Sequence, residues 1–319
     1  MTSILVDEAG STNDQDTRGP KKNRLLNGKP YRPSVEGIPT KSMMPSTTAR
    51  TLTLVVLVGV LVYFLAPIFW VLVSASKSNS ELISSNGFWF ADIQYAQNYA
   101  KLLEWTQGDF WRWVINSIFY STTAGVVGTL TSVAAGYSLA KFRFRERNAT
   151  LGFIMAGMLM PVALLTIPLY IVFNSVGLTN TVWAVLIPSC VSPFGVFLGR
   201  VYAESSVPTE LLEAARLDGA SEVRIFFTIV LRLLAPAMVT IFLFIFVGTW
   251  NNFLLPLMML NDSSLKPVTL GLYGMMSYFN PQKGAVMLGA LLSVLPLIVL
   301  FLGLQRYWQS GLAAGAVKS

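Results

Sequence analysis

Glu213-Ala214-Ala215-Arg216-Leu217-Asp218-Gly219, followed after nine residues by Ile229-Val230-Leu231, is a short charged island between two long apolar stretches. Its side chains can form ion pairs, complement helix ends and dock against a partner, but they hold no nucleophile beside a base. The rest of the chain adds little reactive chemistry. It has no histidine, which excludes His-based catalysis and His metal sites, and Cys190 stands alone, so neither an intrachain disulfide nor a zinc cluster can form. Cys190 reads as a small packed side chain. None of the Lys-Ser pairs, at 41, 77 and 318, follows a glycine, so no phosphate-binding loop is present and this chain should not hydrolyse ATP. Ser, Thr and Tyr hydroxyls occur, but the apolar stretches contain no carboxylate, His or Lys to activate one. The chain does not read as an enzyme, and no metal or cofactor site is expected in it.

The local pattern predicts how the island folds. Pro208 suits the start of a helix, and Glu210 and Glu213 complement its dipole. Leu211, Leu212, Ala214, Ala215 and Leu217 supply an apolar face, with Glu213, Arg216 and Asp218 as polar points. Gly219 falls where a left-handed cap is needed, and Ser221 is placed to cap the next helix. A short helix, a tight bend and a second helix would make a knob. By chemistry alone it is either a lever seated in a soluble partner or an amphipathic linker resting on lipid.

What positions the island is a membrane framework. Apolar residues make up 53% of the chain and charged residues 12%, with mean hydropathy +0.57, far from the balance of a soluble domain. Six stretches lack Asp, Glu, Lys and Arg: 52–73, 113–139, 151–173, 182–199, 236–258 and 286–304. Each is long enough to span a bilayer core. The first follows a polar lead too long for a secretory signal and reads as a retained anchor. Loops on the side of both termini hold 18 Lys and Arg against 5 opposite, or 13 against 5 when only basic residues near the first span are counted. Both termini are therefore expected in the cytoplasm. The net charge of +7 is mostly this topology signal rather than a nucleic-acid footprint.

Residues 1–50 are expected to be a disordered cytoplasmic lead and 51–319 a six-span domain. The aromatic residues of 74–112 suit a membrane-interface belt or a docking surface. The basic and phenylalanine alternation of 141–147 suits an anionic leaflet. Pro161, Pro168 and Pro188 predict kinks, and Asn116, Asn174, Asn251 and Asn252 either bond between helices or line a wet path.

The island, with its spacing to Ile229 and Leu231 and its place before the fifth span, resembles the EAA loop of permease subunits of binding-protein-dependent ABC importers. Gly248-Thr249-Trp250-Asn251-Asn252-Phe253 and the terminal Gly311 to Lys318 resemble the carbohydrate branch, in particular the second permease subunit of maltose-type systems. The likeness covers about 51–319, with Arg232 where the family usually has proline. The resemblance implies an all-α membrane protein with six transmembrane helices and a cytoplasmic coupling helix between spans 4 and 5, in a bacterial plasma (inner) membrane. It implies a sugar or oligosaccharide as cargo, with a polyamine or glycerol phosphate as alternatives. An ion-driven carrier is the rival class, against which the uncharged spans speak. Implied partners are a second permease subunit, an ATPase dimer that binds ATP, an extracellular solute-binding protein and the bilayer. Glu213, Ala214, Ala215 and Gly219 would form the coupling helix, with Arg216 and Asp218 at its rim, and the tail from Gln305 would reach toward the ATPase pair. Tyr278, Phe279, Asn280, Pro281, Gln282 and Lys283 would face the binding protein. Asn116, Asn251 and Asn252 are candidates for the translocation path.

Overall fold

A computed structural model describes residues 46–276 and 282–316, and every regular element among them is helical. In chain order these are α1 (Thr47–Ala75), α2 (Glu81–Ser84), α3 (Tyr95–Trp105), α4 (Asp109–Lys141), α5 (Arg147–Leu159), α6 (Val162–Ser175), α7 (Val182–Ser189) and α8 (Pro193–Ser206). Then come α9 (Thr209–Leu217), α10 (Glu222–Ile225), a π-helical turn Phe226–Val230, α11 (Leu231–Leu233), α12 (Ala235–Trp250), α13 (Leu254–Met259), a 3-10 turn Ser263–Leu265, α14 (Val268–Met275) and α15 (Lys283–Ala316). The chain divides at Gly59 into two units. Of the first, the described part is the beginning of α1. The second, from Val60 onward, holds the remainder of α1 and all the later helices.

Among the described residues, four helical segments are long and apolar enough to cross a membrane: α1, α4, α7 with α8, and α15 as far as Gln305. Two further candidates are bent, α5 with α6 by 104° and Glu222–Leu233 with α12 by 82°. The apolar stretch 236–258 is not one continuous helix, because α12 ends at Trp250 and α13 is a separate helix. The two asparagines explain the break. Asn251 Nδ2 donates to Val247 O at 3.0 Å beside the bond from its own backbone N–H, while Asn252 Oδ1 accepts from Leu255 N at 3.4 Å, so one side chain closes the end of α12 and the other takes over a hydrogen bond that a continuous helix would make. Pro161, just before α6, has no N–H to continue the α5 ladder, and the chain turns there.

Residues 74–112 are more ordered than an interfacial loop. In α3, Asn98 is buried and its Nδ2 donates to Ala75 O at 3.0 Å and Lys77 O at 2.9 Å, which closes the end of α1. Lys77 is itself buried, with Nζ donating to Asn86 O at 2.5 Å.

Among the described residues the core consists of three apolar clusters, and α4 contributes to each: Phe110, Trp113 and Val114 to one, Tyr120 to the second, Ala124, Val133 and Tyr137 to the third. Glycine allows α8 to lie directly on it. A Cβ on Gly136 would sit 2.4 Å from Arg200 N, and one on Gly128 would sit 2.9 Å from Cys190 O. Small residues at such crossings let helix backbones approach where lipid offers no hydrophobic drive. Half-buried Cys190 owes its surroundings to this crossing.

Candidate functional site

The island folds as a knob built on its own backbone. Pro208 immediately precedes α9 and Glu210 lies in its first turn. At the other end Gly219 has φ +80°, its N–H donates to Arg216 O at 3.0 Å, and Ala220 N–H donates to Ala215 O at 3.0 Å. These two bonds make a Schellman cap, whose left-handed position favours glycine. Ser221 then caps α10, its Oγ accepting from Arg224 N at 3.4 Å. Between the two arms, Arg216 Nε donates to Glu222 Oε1 at 2.6 Å and Nη2 to Oε2 at 3.4 Å. That bond, ahead of the other charges around it, holds the Arg216 guanidinium above its ordinary pKa.

The sequence expectation of one apolar face on α9 divides in two. Leu212 is 1% exposed and sits on Ala203, Val207, Ile225 and Val230, with half-buried Ala215 beside it. Leu211, Ala214 and Leu217 point outward, as does Val223 on α10, and Leu217 is 89% exposed. Glu213 and Asp218 are exposed and make no ion pair among the described residues. The knob thus offers solvent an apolar patch with acidic edges, while exposed Arg216 braces the bend through Glu222.

A second feature lies where three helices break. A cavity of about 310 Å³ is lined by Met160 and Val162 at the α5–α6 break, Ser189, Val191 and Pro193 at the α7–α8 break, and Asn252 and Leu255 at the α12–α13 break. Ser189, one of the lining residues, has its Oγ buried without a hydrogen-bond partner behind a largely apolar wall. Interrupted helices are where membrane transporters expose backbone polar groups to a cargo.

Only one of the three asparagine candidates lines that cavity. Asn252 does, whereas Asn251 is exposed and bonded back into α12. Asn116 has structural work instead: its Nδ2 donates to Ser264 O at 2.8 Å and Lys266 O at 3.0 Å, so both amide hydrogens are committed. Its neighbours do the same. Trp113 Nε1 donates to Ser263 O at 2.9 Å, Tyr120 OH to Leu265 O at 2.9 Å, Val268 N to Ser117 Oγ at 2.8 Å, and Ser263 Oγ to Asp109 Oδ2 at 2.8 Å. Positions 109, 113, 116, 117 and 120 share one helix face, forming a polar rail for the turn 263–268. The rail lies within or beside an apolar span, where the sequence marks Asn116 as a polar group and Trp113 as an interface aromatic but does not join them to the turn.

Tyr278, Phe279, Asn280 and Pro281 lie outside the described residues. Gln282 and Lys283 mark the root of α15, where Gly284 N donates to Asn79 Oδ1 at 3.0 Å.

A helical framework with several segments long and apolar enough to cross a membrane, a cavity at broken helices and an exposed knob is the architecture of a membrane protein. Residues 128–313 match the family described as binding-protein-dependent transport system inner membrane component, and the chain belongs to that family. It is 32% identical to the arabinooligosaccharides transport system permease protein AraQ of Bacillus subtilis (strain 168) over 257 residues, 80% of this chain and 91% of the relative. It is 31% identical to the melibiose/raffinose/stachyose import permease protein MelC of the same organism, over 88% of this chain and 98% of the relative. The lactose transport system permease protein LacG of Rhizobium radiobacter is 31% identical, over 79% of this chain and 90% of the relative. Among solved structures, a bacterial ABC transporter involved in the import of the acidic polysaccharide alginate shares the fold, with TM-score 0.72 and 24% identity over 83% of this chain and 99% of that one. Membership makes this chain a permease subunit of an ABC importer rather than an enzyme. A partner permease, a separate ATPase and a binding protein are implied with it.

Proposed function

We propose that this subunit imports a sugar or oligosaccharide, spanning the membrane six times with each bent pair counted as one span and with both termini in the cytoplasm. The carrying observation is the knob. A Schellman cap, a side-chain brace and a buried Leu212 fix its shape, while its outer apolar patch stays exposed among the described residues. Exposed patches of this kind, rimmed by charge, mark interaction sites. Glu213, Ala214, Ala215 and Gly219 would seat in a cleft of the ATPase, with Leu217 and Asp218 beside them. ATP-driven closure of the ATPase pair would then tilt the knob and reorient the helices that line the path. The cavity at the three helix breaks, with Asn252 and Ser189, is this subunit's face of that path. The sugar class is supported by the substrates for which the relatives are named.

Glu213→Lys reverses an exposed charge at the acidic edge of the patch without touching the core. The variant should insert and assemble, yet lose binding-protein-stimulated ATP turnover and uptake; normal turnover in an assembled variant would refute the docking role. For the cargo, a thermal shift of the co-encoded binding protein against arabino-oligosaccharides, raffinose, lactose, spermidine and glycerol 3-phosphate separates the substrate classes. Stabilisation by spermidine or glycerol 3-phosphate alone would remove the sugar assignment while leaving the permease role standing.

A further inference from the structure

α4 runs unbroken and without proline from Asp109 to Lys141, 33 residues, or about 50 Å at roughly 1.5 Å per residue. Its two ends are held in different ways. At one end the polar rail of Asp109, Trp113, Asn116, Ser117 and Tyr120 grips the turn 263–268 by directional hydrogen bonds. At the other, the Tyr137 ring meets Phe142 edge-on at 5.5 Å and Phe226 at 5.9 Å, and Phe142 lies under the Arg216 guanidinium at 6.0 Å. Tyr137 shares its apolar cluster with Leu212 of α9 and Ile225 of α10, so this end of α4 is packed into the base of the knob.

The middle is different again. From Ser121 to Ser138 no α4 side chain hydrogen-bonds to another helix among the described residues. The hydroxyls of Ser121, Thr129 and Ser132 are buried without partners, and α8 lies against glycine backbone there. A contact without directional bonds can shear by small sliding, whereas a hydrogen-bonded end moves with what it holds.

We infer that α4 is the rod that passes displacement between the knob and the turn 263–268, so that the two ends of the subunit answer one another through a single helix. This rests on the docking role proposed for the knob. Arg216, Phe142 and Tyr137 act as positioning residues at one end of the rod, and Asn116 and Ser117 at the other.

The test uses the full chain assembled with its partner permease and ATPase pair in lipid nanodiscs. Cys190→Ser removes the native thiol, and Asn261→Cys, at an exposed position next to the turn, carries an environment-sensitive fluorophore. Magnesium AMP-PNP is the probe. The rod requires a nucleotide-dependent emission shift at residue 261. That shift should fall about two- to tenfold in Phe142→Ala and in Asn116→Ala, and the double variant should lose no more than the worse single, because the two residues act in series. If Asn116→Ala assembles poorly, Ser117→Ala removes one hydrogen bond at the same end and replaces it. No shift in the parent complex, unchanged shifts in the singles, or losses that add in the double each overturn the rod. Glu213→Lys separates the two ideas: an intact shift there refutes the docking role, whereas a lost shift there with normal Phe142→Ala and Asn116→Ala variants refutes the rod alone.

Discussion

The knob and the turn 263–268 are both short, polar and set at the ends of helices, yet they are built on opposite principles. The hydrogen bonds that shape the knob join residues close in sequence: Gly219 to Arg216, Ala220 to Ala215, Ser221 to Arg224, Arg216 to Glu222. The turn is held mainly by residues far away in sequence, Trp113, Asn116, Ser117 and Tyr120 on α4. A self-shaped element can be tilted as a unit without losing its form. A turn shaped by its neighbour instead follows that neighbour, which suits one region to delivering motion and the other to receiving it.

The sharpest way to break this contrast is Gly219→Pro. Proline fixes φ near −65° and has no N–H, whereas Gly219 needs φ +80° and donates to Arg216 O. The cap should be lost outright. We expect the subunit to remain inserted, because the change lies outside every span, and binding-protein-stimulated ATP turnover to disappear. Gly219→Ala keeps the N–H and meets only the left-handed penalty, about 1 kcal/mol, so it should retain most coupling. Equal loss in both variants would mean that the bend is not what matters.

Next in size is Leu212→Ala. Leu212 is fully buried beneath the knob, and truncating such a leucine costs about 2–5 kcal/mol. Its effect should be a lowered melting temperature for the assembled complex together with weaker retention of the ATPase on co-purification. Trp113→Phe keeps an aromatic ring and removes one hydrogen bond to the turn, worth about 1 kcal/mol. Hydrogen exchange should rise in 263–268 and stay unchanged in 209–222. Faster exchange in the knob of the Trp113→Phe protein without ligand would show that the two regions are not separately built.

The same contrast explains what could be read from the sequence. Pro208, Gly219 and Ser221 announce their conformations through backbone chemistry, so helix, bend and second cap were legible from spacing alone. The membrane framework was legible from apolar runs, although the breaks at Pro161 and Asn251 needed the structure: proline predicts a kink, but neighbouring packing decides whether it becomes 104°. The same holds for Arg216, whose partner Glu222 lies six residues on, across a bend whose angle spacing does not give. The rail was not legible. Asp109, Trp113, Ser117 and Tyr120 look like the rim and flank of a span, and only the fold brings 263–268 beside them. The cavity is likewise a meeting of three breaks that no local pattern connects.

The smallest expected effect concerns acid. Asp262 Oδ1 accepts from Ser264 N at 2.8 Å, and this bond, with Arg112 and Lys266 adding to it, holds the carboxyl below its ordinary value of 3.8. A carboxylate whose pKa is lowered by folding contributes stability that is complete above the unfolded value and is lost as pH falls through the lower folded one. Protection of the Ser264 amide, corrected for intrinsic exchange, should therefore be flat from about pH 7 to pH 5 and should decline only below about 3.8, a range set by the unfolded value. Asp262→Asn keeps an acceptor but no titrating group, so its profile should lose that acid limb. The Schellman bonds of the knob join backbone groups that do not titrate in this range, and protection at Gly219 should hold where that at Ser264 fails. Parallel decline at the two amides would mean that acid is unfolding the whole subunit, and that the turn has no separate carboxylate latch.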